Sequence, residues 1–221
     1  MSARLPNTTA PQTRGRTLDH AAAVYDILAP VMTLGQEGRY RKLSIRLLDL
    51  RGGERVLDVG CGTGILTRQI AQRLSGAEAC AVGLDAAPKM IAVAQRHAVN
   101  LPHLRFDVGV AETLAYGDES FDCAVSTFFF HHIDADLKRR SLAELLRVLK
   151  PGGKLIIVDV DVPSNWFGRL CAWSGYWLFK QEEIRENIRG ELREALAETP
   201  FSVVTRVAHF SGYVTVFEAI K

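Results

Sequence analysis

The segment Val56-Leu57-Asp58-Val59-Gly60-Cys61-Gly62-Thr63-Gly64 holds three glycines at alternate positions behind a carboxylate. Glycines so placed let the backbone turn sharply and come close to a ligand. A loop of the form G-x-G-x-x-G between strand and helix seats a pyrophosphate on the helix N-terminus. Here the third glycine falls one position early, and Asp58 stands just before Gly60. A carboxylate there is poorly suited to two phosphate charges and suits an ammonium group. Asp85, in Gly83-Leu84-Asp85, follows the loop by about 20 residues, where an acid ending a second strand accepts hydrogen bonds from both ribose hydroxyls. Asp85 alone does not separate a dinucleotide from a nucleoside linked to an amino acid; Asp58 and the glycine spacing do. The plainer reading of Asp58 is a helix-capping carboxylate, and that of Cys61 is a small side chain in a tight loop. His131 and His132 follow the run Ser126-Thr127-Phe128-Phe129-Phe130. One imidazole is a candidate general base for a substrate hydroxyl; the alternative is a histidine that shapes the site. The three phenylalanines are candidates for an apolar pocket wall, with one or two rings left for the core.

These groups need elements to carry them. Residues 1–17, rich in Pro, Thr, Arg and Gln, read as a flexible tail. Residues 18–50 read as helical, with Asp19 as a first cap, Pro30 as punctuation and a second helix from Gln36 to Leu50. From Arg55 onward strands and helices alternate. Strands are expected at Arg55–Val59, Ala79–Leu84, Leu104–Val108, Phe121–Thr127 and Lys154–Val160, and helices at Leu66–Leu74, Pro88–Val99 and Leu137–Leu149. Such alternation implies a parallel sheet with helices on both faces, an α/β fold. Residues 162–198 read as a helical insert, and Phe201–Ala208 with Tyr213–Ala219 as an antiparallel pair. The insert carries Trp166, Phe167, Trp173, Tyr176, Trp177 and Phe179, with Arg169 and Lys180 beside them. Aromatics at helical spacing form core, cap a substrate or sit at a membrane surface, and these readings are not exclusive. The Lys138-Arg139-Arg140 cluster reads as a solvated helix face.

The 221 residues carry 27 Lys+Arg against 25 Asp+Glu, and 48% are hydrophobic. That length suits one domain with a full core. The near-neutral balance argues against a non-specific nucleic-acid binder and against a disordered chain. Four cysteines without a C-x-x-C pair, and no Cys/His spacing typical of zinc, point to a reduced, cytoplasmic protein without a metal site. No apolar run reaches the roughly 18 residues needed to span a bilayer, and the N-terminus has no apolar leader.

The runs VLDVGCGTG, GLDAAPKM, SFDCAVSTFFFHH and LLRVLKPGGKLIIVD, in that order and spacing, resemble the class I S-adenosylmethionine-dependent methyltransferases. The resemblance covers residues from about 20 to 160 and the final hairpin. It implies a doubly wound, Rossmann-like sheet of seven mostly parallel strands, the last antiparallel, under an N-terminal helical lid. It also implies S-adenosylmethionine as cofactor and S-adenosylhomocysteine as product. By position, Gly60, Cys61, Gly62, Thr63 and Gly64 would pass under the methionine part, with Asp58 toward its ammonium. Asp85 would hold the ribose, with Ala86 and Met90 against the adenine. Val110, Ala111 and Glu112 fall on the loop that reads the adenine edge, though Val110 stands where an Asp is common. Ser126, Thr127 and Phe128 would offer a carbonyl to the ammonium and a wall to the methyl pocket. The stretch from His20 to Arg41 is similar to the ubiquinone/menaquinone C-methyltransferases and the bacterial phosphatidylethanolamine N-methyltransferases, which places Tyr25 over the cofactor.

The expected reaction is methyl transfer to a small, largely apolar acceptor, a quinone-like ring or a lipid headgroup. The alternatives are a cofactor-binding regulatory partner without chemistry of its own and a nucleotide-dependent oxidoreductase. Nucleic acid is not the expected substrate, because the Asn-Pro-Pro-Tyr type motif of base-amino methylases is absent after the fourth strand.

Overall fold

Two strands buried on both faces form the middle of the sheet: β1 (Arg55–Val59) and β4 (Phe121–Thr127). Strands covered on both sides have no face to leave polar. The computed structural model of the chain describes residues 13–15, 35–98 and 100–221. In chain order the further elements are α1 (Glu37–Leu48), α2 (Ile65–Ala71), β2 (Cys80–Asp85), α3 (Pro88–Arg96), β3 (Leu104–Val108) and α4 (Ala135–Val148). They continue with β5 (Leu149–Val160), α5 (Trp166–Phe179), α6 (Glu182–Arg189), α7 (Glu191–Ala197), β6 (Val203–Phe210) and β7 (Val214–Ile220). The sheet order is β3-β2-β1-β4-β5-β7-β6, and only β7 runs antiparallel to its neighbours. This is the doubly wound, seven-stranded arrangement expected from the sequence. Its strand order reverses between β1 and β4, so a crevice opens beyond their carboxyl ends.

Alternate residues of each strand feed a core on each face. Leu57, Val59 and Ile157 pack with Leu142 and Leu145 of α4 and Leu192 and Leu196 of α7. Val56, Val125 and Ile156 pack on the other side with Tyr40, Leu48, Leu66, Ile70 and Ile188. The helices end where the backbone tightens. Arg73 and Leu74 donate to Ile70 and Ala71, three residues back, so α2 stops before the expected Leu74. Likewise His97 closes α3 short of Val99.

Three expectations change. β5 begins at Leu149, not Lys154: Leu149 is fully buried and pairs with Phe121, and the chain then bulges out through Pro151-Gly152-Gly153 before Lys154 pairs with Cys123. The basic cluster of α4 is a solvated face only in part, with Arg140 exposed. Lys138 is fully buried and donates to Ile133 O at 2.6 Å and Glu186 at 3.0 Å, while Arg139 reaches Glu191 and Glu198 at 2.5 and 2.6 Å. These bonds tie α4 to α6 and α7. Nor is residues 162–198 one insert. Lys180 in the left-handed region separates α5 from α6, Gly190 separates α6 from α7, and α7 belongs to the main core. The tail of residues 1–17, apart from 13–15, and the first lid helix with Tyr25 lie outside the described residues. Among the described residues no helix is long and apolar enough to cross a membrane.

Candidate active site

The glycine loop leaves β1 and is sewn to the end of β2. Gly60 and Cys61 both donate to Leu84 O, at 2.8 and 3.0 Å, and Gly62 N donates to Asp85 Oδ2 at 2.9 Å. Asp85 Oδ1 accepts from Ala87 N at 2.9 Å, which fixes the carboxylate at the mouth of the crevice. Gly60 and Gly64 have φ near +72° and +73° for different reasons. A Cβ on Gly60 would lie 2.6 Å from Phe129 Cβ, whereas one on Gly64 would lie 2.4 Å from Phe106 Cζ. Gly64 therefore packs the start of α2 onto the sheet and does not line the cleft. Gly62, φ +53°, has nothing within 4 Å of its Cβ direction, so its backbone fronts open space.

The cleft has two lobes that share Gly60, Gly62 and Phe128. The first, open to solvent, is lined by Asp85, Ala86, Met90, Val110, Ala111 and Glu112, together with Phe129, His132 and Ile133. The second is lined by Cys61, Thr63, Thr127, Tyr40 and the Glu37–Arg41 ion pair. Phe128 divides them. Its N–H donates to Val158 O at 2.8 Å, and its φ of +55° is uncommon for a bulky side chain. Tyr40 packs against Phe128 and Phe210 with ring centroids 5.5 and 5.1 Å apart. The Gly109–Leu114 loop is held from behind: Leu114 N donates to Glu144, and Arg147 binds Glu144 and the Leu114 and Tyr116 carbonyls.

Asp58 does not line the cleft; it lies under the loop, 1% exposed. Thr67 Oγ1 donates to its Oδ2 at 2.6 Å, and Oδ1 is buried without a partner among the described residues. Burial pushes the carboxyl up to about 7, against the Thr67 hydrogen bond, which holds it down; the nearby Asp85 raises it further. Desolvation likewise holds the Cys61 thiol well above its ordinary value, so it is a packing group and not a thiolate.

Besides Asp58 and Gly64, two more expected contacts are not brought to the cleft. Ser126 is buried between strands, its hydroxyl donating to Val59 O at 3.0 Å, so it braces β4 on β1. His131 turns inward as well: its Nδ1 donates to Asp159 Oδ1 at 2.7 Å. Asp159, wholly buried, also accepts from Phe130 N and Val160 N at 2.7 Å each. His132 does face the cleft, its ring 4.0 Å from that of His131. Sequence reasoning missed Asp159, Thr67 and Tyr40 as site residues. The apolar strand end at Asp159 was a usable signal, since a carboxylate in a central strand needs a partner; Tyr40 carried none beyond its place in the lid.

The site fits a nucleoside joined to an amino acid. It offers an exposed glycine backbone, the Asp85 carboxylate at the mouth of the crevice, apolar walls for a ring and one buried carboxylate oxygen, Asp58 Oδ1, that has no partner among the described residues. The comparisons agree. Residues 56–153 match the methyltransferase domain family. The chain is 34% identical over 200 residues to the uncharacterized methyltransferase sll0829 of Synechocystis sp., covering 89% of this chain and 90% of that one. It is 33% identical over 143 residues to the ubiquinone/menaquinone biosynthesis C-methyltransferase UbiE of Geobacter sp., covering 63% of this chain and 60% of the relative. A solved SAM-dependent methyltransferase of Aquifex aeolicus superposes with a TM-score of 0.64 at 19% identity, over 93% of this chain and 99% of that one. The chain belongs to the class I S-adenosylmethionine-dependent methyltransferases. Its cofactor is S-adenosylmethionine.

Proposed function

We propose that this methyltransferase acts on a ring carbon of a quinone-like aromatic acceptor. The observation that carries the reading is the setting of Phe128 where the two lobes meet, with Phe129, His132 and Ile133 lining the same cleft, which gives it aromatic and aliphatic walls beside the cofactor's place. The likeness to a relative named as a quinone-pathway C-methyltransferase supports it, over an alignment that spans three fifths of that relative.

In this reading Asp85 binds the ribose hydroxyls while keeping the loop closed through Gly62 and Ala87. Met90, Ala86 and Val110 flank the adenine, and Ala111 N–H meets its edge. The loop backbone from Gly60 to Thr63 runs beneath the methionine part, with Asp58 supplying negative charge from below. When bound, the cofactor supplies a methyl group on a sulfonium cation, which needs only a nucleophile held in line. The chain's task is alignment: Phe128 and its neighbours exclude water and press a flat ring against the cofactor side of the cleft. Asp159 fixes His131, and His131 backs His132 against the acceptor.

The test is turnover with a short-chain prenylated naphthohydroquinone, reading S-adenosylhomocysteine release and the carbon that gains the methyl. A new C–CH3 resonance on the ring supports the proposal. Release of S-adenosylhomocysteine only with phosphatidylethanolamine, or only with small polar acceptors, overturns it.

A further inference from the structure

Helix α5 turns to solvent what a helix normally turns inward. Trp166, Leu170, Trp177 and Leu178 are 77, 61, 70 and 74% exposed. At 3.6 residues per turn these four and Phe167 fall within about one third of the helix circumference, so they form one stripe. The inner face is served by Gly168 and Ala172, with Trp173 and Tyr176 partly buried against the core. None of the α5 residues lines either lobe of the cleft. Among the described residues the stripe is packed neither into the core nor against either lobe.

The helix is firmly placed. Asn165 caps it by accepting from Gly168 N at 2.7 Å, and Ser164 N donates to Gly212 O at 2.9 Å. A Cβ on Gly168 would lie 2.0 Å from Gly212 O, so only glycine permits this contact. The anchor is the β6–β7 turn, at the carboxyl edge of the sheet where the cleft opens. The charge is one-sided. No Asp or Glu occurs from Val162 to Gln181, while Arg169 and Lys180 are exposed beside the stripe. Ser164 shares a surface pocket with Arg206 and His209. The first carboxylate after the helix, Glu182, is already engaged by Arg185 and the Tyr176 hydroxyl.

We propose that the outer face of α5 docks on an anionic lipid surface, with Trp166, Leu170, Trp177 and Leu178 among the acyl chains and Arg169 and Lys180 against the headgroups. Exposed tryptophans at both ends of an apolar stripe, flanked by cations, match the chemistry of the membrane interface. A second copy fits less well: a two-fold contact sets the same patch on itself, and this helix brings cations with no carboxylate to pair them. Fourteen residues span about 21 Å, short of the roughly 30 Å hydrocarbon core, so the helix lies in the interface. Docking sets the mouth of the cleft beside the bilayer, where an apolar acceptor dissolves. That link to turnover rests on the acceptor reading above; the docking itself does not.

The test is flotation of the full chain with vesicles of phosphatidylcholine alone and of equimolar phosphatidylcholine and phosphatidylglycerol. The wild type floats with the anionic vesicles and shows a blue-shifted tryptophan emission. The Trp166→Ser/Trp177→Ser variant, whose changed residues are exposed, keeps its melting temperature and binds the anionic vesicles at least tenfold more weakly. Arg169→Glu/Lys180→Glu loses tenfold or more on the same vesicles. Failure of the wild type to bind anionic vesicles overturns the proposal. So does a concentration-dependent dimer that the tryptophan variant abolishes. Methyl transfer to a detergent-dispersed acceptor is read in parallel. Docking without transfer removes the acceptor reading alone, and transfer without docking removes the lipid surface alone.

Discussion

Asp58 gives cofactor affinity a pH dependence that can be worked out from the fold. Its carboxyl is buried in β1 and pushed up to about 7 by that burial, with Thr67 on one oxygen and no described partner on the other. An ammonium brought close favours the charged form. Binding below pH 7 then expels a proton. A carboxyl half protonated at pH 7, almost fully protonated at pH 5 and ionised throughout in the complex makes binding about fiftyfold tighter at pH 7, or about 2.3 kcal/mol. The ligand's own α-amino group, near 7.7–8.0, stays charged across this window. Calorimetric titration with S-adenosylmethionine at pH 5, 6 and 7, in two buffers of different ionisation enthalpy, reads both affinity and proton release. Asp58→Asn binds more weakly and without the slope. For the free protein the sign is opposite. A folded-state value raised above the ordinary carboxylate 3.8 means that the native state binds more protons, so stability falls as pH rises from about 4 to about 7. The fall amounts to about 4 kcal/mol, and Asp58→Asn melts higher than the wild type at pH 8. Equal affinity at pH 5 and 7, or the same slope in Asp58→Asn, would refute the placement of an ammonium above this carboxylate.

Four further outcomes follow from the site. Asp85→Ala removes two ligand hydrogen bonds and releases Gly62 and Ala87, so cofactor binding weakens by about 2–4 kcal/mol; calorimetry showing unchanged affinity would contradict the ribose assignment. Gly64→Ala forces a left-handed alanine against Phe106 and destabilises the fold by about 2–4 kcal/mol in denaturant titration, and a neutral result would contradict the packing role. His132→Ala lowers kcat by less than tenfold, because alignment carries the transfer; a loss of a hundredfold would make His132 a general base. Asp159→Asn, in contrast, lowers the melting temperature, since an amide oxygen cannot accept from His131, Phe130 N and Val160 N together.

The order of strands and the glycine loop were legible because β1, β2 and β5 are largely apolar runs closed by glycine or acid. What escaped the sequence depends on direction and distance. The period of α5 marks a stripe but not which side of the molecule it faces, and here the aromatic stripe faces out. Lys138 reads as surface by type, yet its ammonium reaches inward to Ile133 O and Glu186 from another helix. Gly64 and Ser126 sit in the motif but serve packing, because a glycine or small residue is demanded by Phe106 and by Val59 as well as by a ligand. The pairing of His131 with Asp159 spans 28 positions and becomes visible only once β5 lies beside β4.

The central claim is a site for a nucleoside carrying an amino acid, made by Asp58, the glycine loop and Asp85. Titrating the chain with S-adenosylmethionine, S-adenosylhomocysteine and NAD side by side tests it most directly. The account predicts micromolar binding of the first two and no heat from NAD; binding of NAD alone, or of none of the three, would contradict it.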